Sequence, residues 1–126
     1  KRQGYGCFQH YLWKRRRAGD PHCMHCDEPD DTVEHTLFNC PFWAEDRREM
    51  EQCVGRPLQP NDVPDIILGP EQKLLPDDAS RRRRIEAMAE GLRLAFGRMV
   101  EAILGRKEDA ERVRQARLFV GRRPNT

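Results

Sequence analysis

The chain has 126 residues, of which 35% are charged and 37% hydrophobic, and a formal net charge of +2. This length fits one small domain, and the low apolar content predicts a thin core that needs a further stabilising element. No apolar run approaches the ~20 residues of a membrane span and no signal-peptide pattern is present, so we expect a soluble intracellular protein.

Charge is strongly segregated along the chain. Residues 1–19 hold six basic side chains and no acidic one, residues 20–80 hold four and fifteen, and residues 81–126 hold thirteen and six. Arginine outnumbers lysine by nineteen to four, and guanidinium groups bind phosphates and stack on bases. Two basic flanks suggest a polyanionic partner. The alternative for residues 81–126 is that the arginines solvate helix faces and pair with glutamates.

The amino-terminal segment places a basic run directly after an aromatic cluster. The two groups are Phe8, Tyr11, Leu12 and Trp13, followed by Lys14, Arg15, Arg16 and Arg17. We expect the first group to be the end of a helix that packs over the next element. Cations beside aromatic rings form surfaces that bind nucleic acid through phosphates and base stacking.

Five cysteines without secretory features indicate reduced thiols rather than a disulfide framework. Three of them have metal-ligand spacing with one histidine: two residues separate Cys23 from Cys26, eight separate Cys26 from His35, and four separate His35 from Cys40. Three thiolates and an imidazole suit Zn²⁺, and four protein ligands leave no open position. We therefore expect a structural ion, which in small modules contributes ~10–16 kcal/mol to folding.

The residues between the ligands predict a loop and then a short helix. Pro21 and the polar stretch 27–30 are typical of a loop. Asp31, with Glu34 three residues later, has the pattern of a capping box before a helix that carries His35. The ligands are thus predicted to come from a knuckle and from the junction between two helices.

Other histidines and cysteines lie near this motif. His22 and His25 are the competing metal ligands, but neither has a second ligand at a better spacing, and we expect both to face solvent or a phosphate. Cys7 and Cys53 have no partner at metal spacing, so each is expected to be a small buried hydrophobe.

A helix is predicted from Pro41 to about Val54, with Trp43 and Met50 on its apolar side and Gly55 at its end. Residues 56–78 contain five prolines and are predicted to be a linker with a possible short helix over residues 61–68. The expected organisation is a zinc-binding module at 1–55, this linker, and an Arg-rich helical tail at 79–126.

The tail is predicted to begin with a long amphipathic helix from about Ala79 to Leu104, broken or bent at Gly105 before a last segment over 107–118. Six apolar residues at three- and four-residue spacing form one stripe: Ile85, Met88, Leu92, Phe96, Met99 and Ile103. We expect the stripe to pack on the zinc module. The alternative is that residues 85–104 pair with a second copy or with another part of a longer protein.

Four consecutive cations, Arg81, Arg82, Arg83 and Arg84, lie in the first turns of this helix. The helix dipole opposes positive charge there by a few tenths of a kcal/mol or more per residue. Either the carboxylates of Asp77, Asp78 and Glu86 compensate, or phosphates do. The run also fits a nuclear-import signal.

With these motifs in place, the stretch 4–48 resembles the carboxy-terminal zinc-binding (CCHC) region of non-LTR (LINE-type) retrotransposon reverse transcriptase polyproteins. The shared motifs are Gly4-Tyr5-Gly6-Cys7-Phe8 with Tyr11-Leu12, Pro21-His22-Cys23-Met24-His25-Cys26, Thr32-Val33-Glu34-His35-Thr36-Leu37-Phe38, and Cys40-Pro41-Phe42-Trp43. Tyr5 departs from the histidine usual in that family. Beyond about residue 50 only the helical, Arg-rich character is similar.

The resemblance implies a parent enzyme that copies its own RNA at a nicked DNA target, of which this chain is a non-catalytic tail. The first residue is not Met, so we expect a piece of something longer. The predicted fold is mainly α, with a small zinc knuckle followed by helices. The predicted function is to grip RNA or DNA in the nucleus through residues 14–17 and 81–84, and a protein-interaction scaffold is the alternative.

Overall fold

A computed structural model describes residues 8–9 and 21–121. Within these residues the fold is mainly helical and contains no strand, which confirms the predicted class. None of the described helices has the length and apolar character that crossing a membrane requires.

Helix α1 spans Ala44–Val54 and follows a 3₁₀ turn at Pro41–Trp43. Pro41 opens that turn, as the sequence predicts, because a proline has no N–H to leave unpaired there. Gly55 ends the helix with φ +83°, and its N–H donates to the Glu51 carbonyl. Glycine adopts this left-handed conformation without strain.

The proline-rich segment contains a 3₁₀ turn at Pro60–Asp62 and helix α2 at Val63–Leu68, as predicted, with a further 3₁₀ turn at Gln72–Leu74. The side chains of Gln59 and Asp62 form a reciprocal capping box at the first turn. The Asp62 carboxylate also accepts hydrogen bonds from the Arg56 guanidinium at 2.5 and 2.9 Å, which lowers the pKa of Asp62.

Helix α3 is one continuous element, Ala79–Gly121, about 65 Å long. The predicted break at Gly105 is wrong. A glycine inside a helix costs only about 1 kcal/mol, and the next two side chains are held by carboxylates of other elements: Arg106 by Asp46 and Lys107 by Asp31. Together with the burial of Ile103 before the glycine, these contacts fix the helix on both sides of it.

The core lies between α1 and the middle of α3. It includes buried side chains from the turn before α1, from α1, from the proline-rich segment and from the middle of α3: Trp43, Met50, Leu58, Ile66, Phe96, Met99 and Ile103. The apolar stripe therefore packs on the module only from Leu92 onward. Ile85 is 37% exposed and Met88 69% exposed, so the first two stripe residues do not pack as predicted.

Candidate metal centre

The first two candidate ligands lie in a compact loop. The Cys23 N–H donates to the Glu28 carbonyl at 3.0 Å, and the Asp31 N–H donates to the Pro21 carbonyl at 2.7 Å. These bonds close the loop at both ends. The backbone N–H of His25 points at the Cys23 Sγ, 3.4 Å away, which is the hydrogen bond that stabilises a thiolate in such a turn.

The other two candidate ligands flank a π-helical turn at His35–Asn39. In this wide turn the Cys40 N–H donates to the His35 carbonyl at 2.7 Å, an i to i+5 bond. The turn thereby presents the imidazole and the Cys40 thiol to the same site. The sequence predicted a short helix here but not its wider pitch.

Four donor atoms meet at this site, all within 4.8 Å of one another. The Cys40 Sγ lies 3.9 Å from the sulfurs of both Cys23 and Cys26, and the Cys26 Sγ lies 3.2 Å from His35 Nε2. Separations of this size are the edges of a tetrahedron around one ion. Cys23, Cys26, His35 and Cys40 could therefore hold a metal ion, as their spacing predicted.

Burial controls the protonation of these ligands in the protein alone. Desolvation raises the pKa of the Cys23 thiol and raises the pKa of the Cys40 thiol to about 12. Desolvation also lowers the pKa of His35, which favours the neutral imidazole that ligates metals. Metal binding must therefore displace protons from the two buried thiols.

A buried arginine supports the last ligand. The Arg47 guanidinium donates to the carbonyl of Cys40 at 2.6 Å and to the carbonyl of Thr36 at 3.2 Å. Desolvation lowers the Arg47 pKa from its ordinary value. Because one side chain of α1 binds both ends of the turn before it, α1 and the metal loop are held in one arrangement.

The predicted capping box at Asp31 and Glu34 is wrong. The Thr32 hydroxyl accepts the hydrogen bond from the His35 N–H at 3.2 Å, and the Asp31 N–H donates to Pro21 instead of to Glu34. Thr32 is therefore the residue that caps this turn.

The Asp31 carboxylate is fully buried and binds the carboxyl-terminal part of α3. It accepts hydrogen bonds from the Lys107 ammonium at 2.9 Å and from the Gln9 N–H at 2.6 Å, and the Thr36 hydroxyl lies 3.4 Å away. The Gln9 side chain in turn donates to the Glu111 carboxylate at 2.7 Å. This network joins the loop between two metal ligands to a helix 76 residues later in the chain.

Sequence reasoning missed this network because its members resemble surface residues. Lys107 lies among charged neighbours and looks like a solvated helix cation. A buried lysine needs a paired acid, and no local spacing indicates which of the many carboxylates that acid is.

The competing histidine His25 is half-buried, so the expectation that it faces solvent is wrong. Its ring stacks on Phe42 with 4.0 Å between centroids and meets Trp43 edge-on at 5.3 Å. Among the described residues, the His25 Nε2 and Trp43 Nε1 atoms are buried without a hydrogen-bond partner. His22 is exposed at the edge of the loop.

Cys53 is exposed on α1 rather than buried, which corrects the prediction for it. The other lone cysteine, Cys7, and the basic run 14–17 lie outside the described residues. Phe8, from the predicted aromatic cluster, is buried at 1% exposure, with the Lys107 ammonium 5.1 Å from its ring centroid.

Most arginines of α3 fall into two groups, and Arg117 near its carboxyl end is an exposed exception that has no carboxylate within 4 Å in the described part of the chain. Each arginine from 93 to 114 has a carboxylate partner, and the pairs are Arg93 with Glu90, Arg98 with Glu49, Arg106 with Asp46, Arg112 with Asp109, and Arg114 with Glu111. In the run 81–84, by contrast, no guanidinium has a carboxylate within 4 Å among the residues that the structure describes.

The carboxylates predicted to compensate the positive charge of the run 81–84 therefore contact it only through the backbone. The Asp78 carboxylate accepts a hydrogen bond from the Arg81 N–H at 3.0 Å and caps the helix. Arg82 donates from Nε to the Pro76 carbonyl at 3.3 Å. Neither Asp77 nor Glu86 pairs with an arginine side chain in this part of the described chain.

Comparisons with protein families, with curated proteins and with solved structures find no match to this chain.

Proposed function

We propose that the chain is a zinc-stabilised nucleic-acid-binding module without catalytic activity of its own. The observation that carries this proposal is the contrast between the paired arginines 93–114 and the unpaired run 81–84. Three further steps support it.

The donor set favours Zn²⁺ as the ion. Zinc binds sulfur at ~2.3 Å and imidazole nitrogen at ~2.0 Å, so a tetrahedral site separates two sulfurs by about 3.8 Å. The sulfur of Cys40 lies 3.9 Å from each of the other two sulfurs. Soft thiolates disfavour magnesium and calcium, and the four protein ligands suit a structural ion with no bound water for catalysis.

The unpaired arginines favour a polyanion. A cluster of positive charge at the amino end of a helix is opposed by the helix dipole, and the guanidinium groups of Arg81, Arg83 and Arg84 have no carboxylate within 4 Å among the described residues. Phosphates would supply the missing negative charge. Such contacts position nucleic acid and carry little sequence information.

The resemblance noted for the stretch 4–48 suggests where such a module would act. In a retrotransposon reverse transcriptase it would hold template RNA or target DNA close to the polymerase during target-primed reverse transcription. The basic run at 14–17 would add phosphate contacts, and the run 81–84 would also serve as a nuclear-import signal.

The test is the salt dependence of binding to fluorescent single-stranded RNA and duplex DNA. Replacing Arg81, Arg83 and Arg84 by Ala should weaken binding and lower the magnitude of the log–log salt slope by up to about 3, roughly one per lost phosphate contact. The triple variant R15A/R16A/R17A tests the amino-terminal run in the same assay.

A matched control is the triple variant R93A/R98A/R112A, which removes the same charge from exposed arginines that are already paired. It should retain the slope of the unmodified protein. Equal losses in both sets would show a general charge effect and contradict the proposed site. Native mass measured with and without a chelator should show one Zn²⁺ per chain, and a different ion or none would contradict the metal assignment.

The second candidate function is an interaction scaffold. Phe96, Met99 and Ile103 are buried against their own module, so the predicted pairing surface at 85–104 cannot be used over its full length. Of the six stripe residues, Ile85 and Met88 are the exposed ones, and Leu92 is partly buried against the core.

A further inference from the structure

Ser80 is the only serine of the sequence, and the arginine run 81–84 follows it directly. It lies in the first turn of α3 and is exposed. Its hydroxyl makes no hydrogen bond among the described residues, and the helix is capped instead by the Asp78 carboxylate, which accepts from the Arg81 N–H at 3.0 Å. The fold therefore uses the Ser80 side chain neither for packing nor for capping.

Two arginines of the run are the neighbours of Ser80 on the helix surface. Arg83 and Arg84 lie three and four residues further on, a spacing that places Cβ atoms about 5–6 Å apart. Side chains of a helix lean towards its amino end, so both guanidinium groups are directed towards Ser80. Both arginines are exposed, and neither has a carboxylate within 4 Å in the described part of the chain. A negative group on Ser80 would meet two unpaired cations.

We propose that Ser80 is a phosphorylation site, and that its phosphate regulates the nucleic-acid site by pairing with Arg83 and Arg84. A protein kinase would transfer the γ-phosphoryl group of ATP to the hydroxyl. A bond forms between Ser80 Oγ and the γ-phosphorus, the bond from that phosphorus to the β,γ-bridging oxygen breaks, and ADP and the hydroxyl proton leave. This inference rests on the proposed function, because the phosphate occupies arginines assigned there to RNA or DNA.

The charge of a phosphoserine is the charge that the arginine run lacks. The group carries about −1.5 to −2 at neutral pH and three acceptor oxygens, and beside an arginine cluster it makes charge-assisted hydrogen bonds. The helix dipole, which opposes the arginines, favours this added negative charge. A phosphate attached to the same helix has a high effective concentration beside Arg83 and Arg84. It therefore competes with the phosphates of a polynucleotide for these two side chains.

The residues around Ser80 define the class of kinase. Arginines occupy the four positions after the serine, and acidic residues occupy positions 77 and 78 before it. Residues 75–78 are not helical, and the end of a helix opens more readily than its interior, so Ser80 can enter an active site in an extended segment. A kinase that selects arginine on the carboxyl side of serine fits this sequence.

The first test is phosphoryl transfer to the metal-loaded chain, with labelled ATP and a purified kinase of that class. The chain should take up a single phosphate, which mass spectrometry should place at Ser80. The matched control, Ser80→Ala, keeps every threonine and should stay unlabelled. An unmodified chain that takes up no label, or label that persists in the control, overturns the proposed site.

The second test is the salt dependence of RNA and DNA binding before and after phosphorylation. The phosphate should lower the magnitude of the log–log slope by up to about 2, roughly one per guanidinium group that it occupies. Phosphorylation of the R83A/R84A chain should have a smaller effect, because the two partners of the phosphate are absent. Equal losses in the two chains would show general charge repulsion and overturn the proposed pairing.

Failure of this inference differs from failure of the proposed function. A phosphorylated chain with an unchanged slope overturns the inference alone, provided that R81A/R83A/R84A still lowers the slope. A chain that binds neither RNA nor DNA before phosphorylation contradicts both.

Hydrogen exchange without nucleic acid tests the pairing directly. Phosphorylation should slow exchange several-fold in the first turns of α3, and it should do so less in the R83A/R84A chain. Exchange that phosphorylation leaves unchanged overturns the pairing of the phosphate with the two arginines.

Discussion

Helix α3 consists of two regions with similar composition and different surroundings. In residues 95–114, the anchored half, apolar side chains are buried and every arginine has a carboxylate partner. In residues 79–94, the open half, Ile85 and Met88 are exposed and the run 81–84 has no carboxylate partner in the described chain. Pairing and burial, rather than arginine content, therefore separate the structural cations from those available for binding.

The anchored half also depends on the metal loop in a way that the open half does not. Asp31 lies between ligands Cys26 and His35 in sequence and binds Lys107. An ion bound at Cys23, Cys26, His35 and Cys40 would hold this loop and its carboxylate in place, and the carboxylate binds the helix through Lys107. The order of the anchored half should follow the state of the metal site.

The largest expected effect is therefore that of metal removal. A chelator, or Cys40→Ser, should strongly destabilise the metal loop and the anchored half, because a structural Zn²⁺ contributes ~10–16 kcal/mol of apparent binding energy. Thermal unfolding followed by circular dichroism measures this loss. The matched control is Cys53→Ser, which changes an exposed thiol outside the site and should keep both the ion and the unfolding temperature.

The pH dependence of the same measurement has opposite signs in the two metal states. With the ion bound, stability should fall as pH falls, because protons compete for the thiolates. Without it, the raised pKa of the Cys40 thiol, about 12 against an ordinary 9.0, gives a stability that is present below pH 9 and lost as pH rises towards 12. An unfolding temperature that a chelator does not change would contradict a structural metal.

The ligand set could be predicted from sequence because its members are close together in the chain. Two, eight and four intervening residues bring Cys23, Cys26, His35 and Cys40 within reach of one ion whatever the rest of the fold does. The partner of Asp31 could not be predicted, since Lys107 is 76 residues away and the carboxylate fits a local capping pattern equally well. Long-range pairing, rather than local preference, decided the role of Asp31.

The ends of the helices could likewise be predicted only where local residues determine them. Pro41 opens the turn before α1, Gly55 ends α1, and Gly69, whose N–H donates to the Asp65 carbonyl, ends α2. All three act locally on the backbone. Gly105 was expected to act in the same way, but tertiary contacts on both sides outweigh its small cost. The period of the apolar stripe predicted a helix correctly, yet it could not show that Ile85 and Met88 are exposed and that packing on the module begins at Leu92.

The second-largest expected effect is that of breaking the buried ion pair between Lys107 and Asp31. Lys107→Met should destabilise the protein by about 3–5 kcal/mol, because it leaves the Asp31 carboxylate buried without its cation. Both groups are almost fully buried, at 2% and 0% exposure. Urea unfolding measures the change, and hydrogen exchange should show it in the anchored half and in the loop 23–40.

Two further variants serve as controls for the stability that K107M loses. Arg112→Ala breaks an exposed pair with Asp109 and should cost less than about 1 kcal/mol. The double variant D31N/K107M removes both charges, and it should recover part of the stability that K107M loses. A K107M protein as stable as R112A would show that the pair does not hold the helix to the metal loop.

The smallest effect compares two glycines of α3, one in each half. An added Cβ at Gly91 or at Gly97 meets no atom within 4 Å, so Ala at either position should stabilise the helix itself by about 0.5–1 kcal/mol. Gly97→Ala should add this amount to global unfolding in urea, because the anchored half unfolds with the core. Gly91→Ala should mainly slow hydrogen exchange in residues 81–94, since a helix segment with an uncovered face opens locally before the core does. Equal gains in global stability, at a concentration where the protein is monomeric, would mean that both halves belong to one cooperative unit.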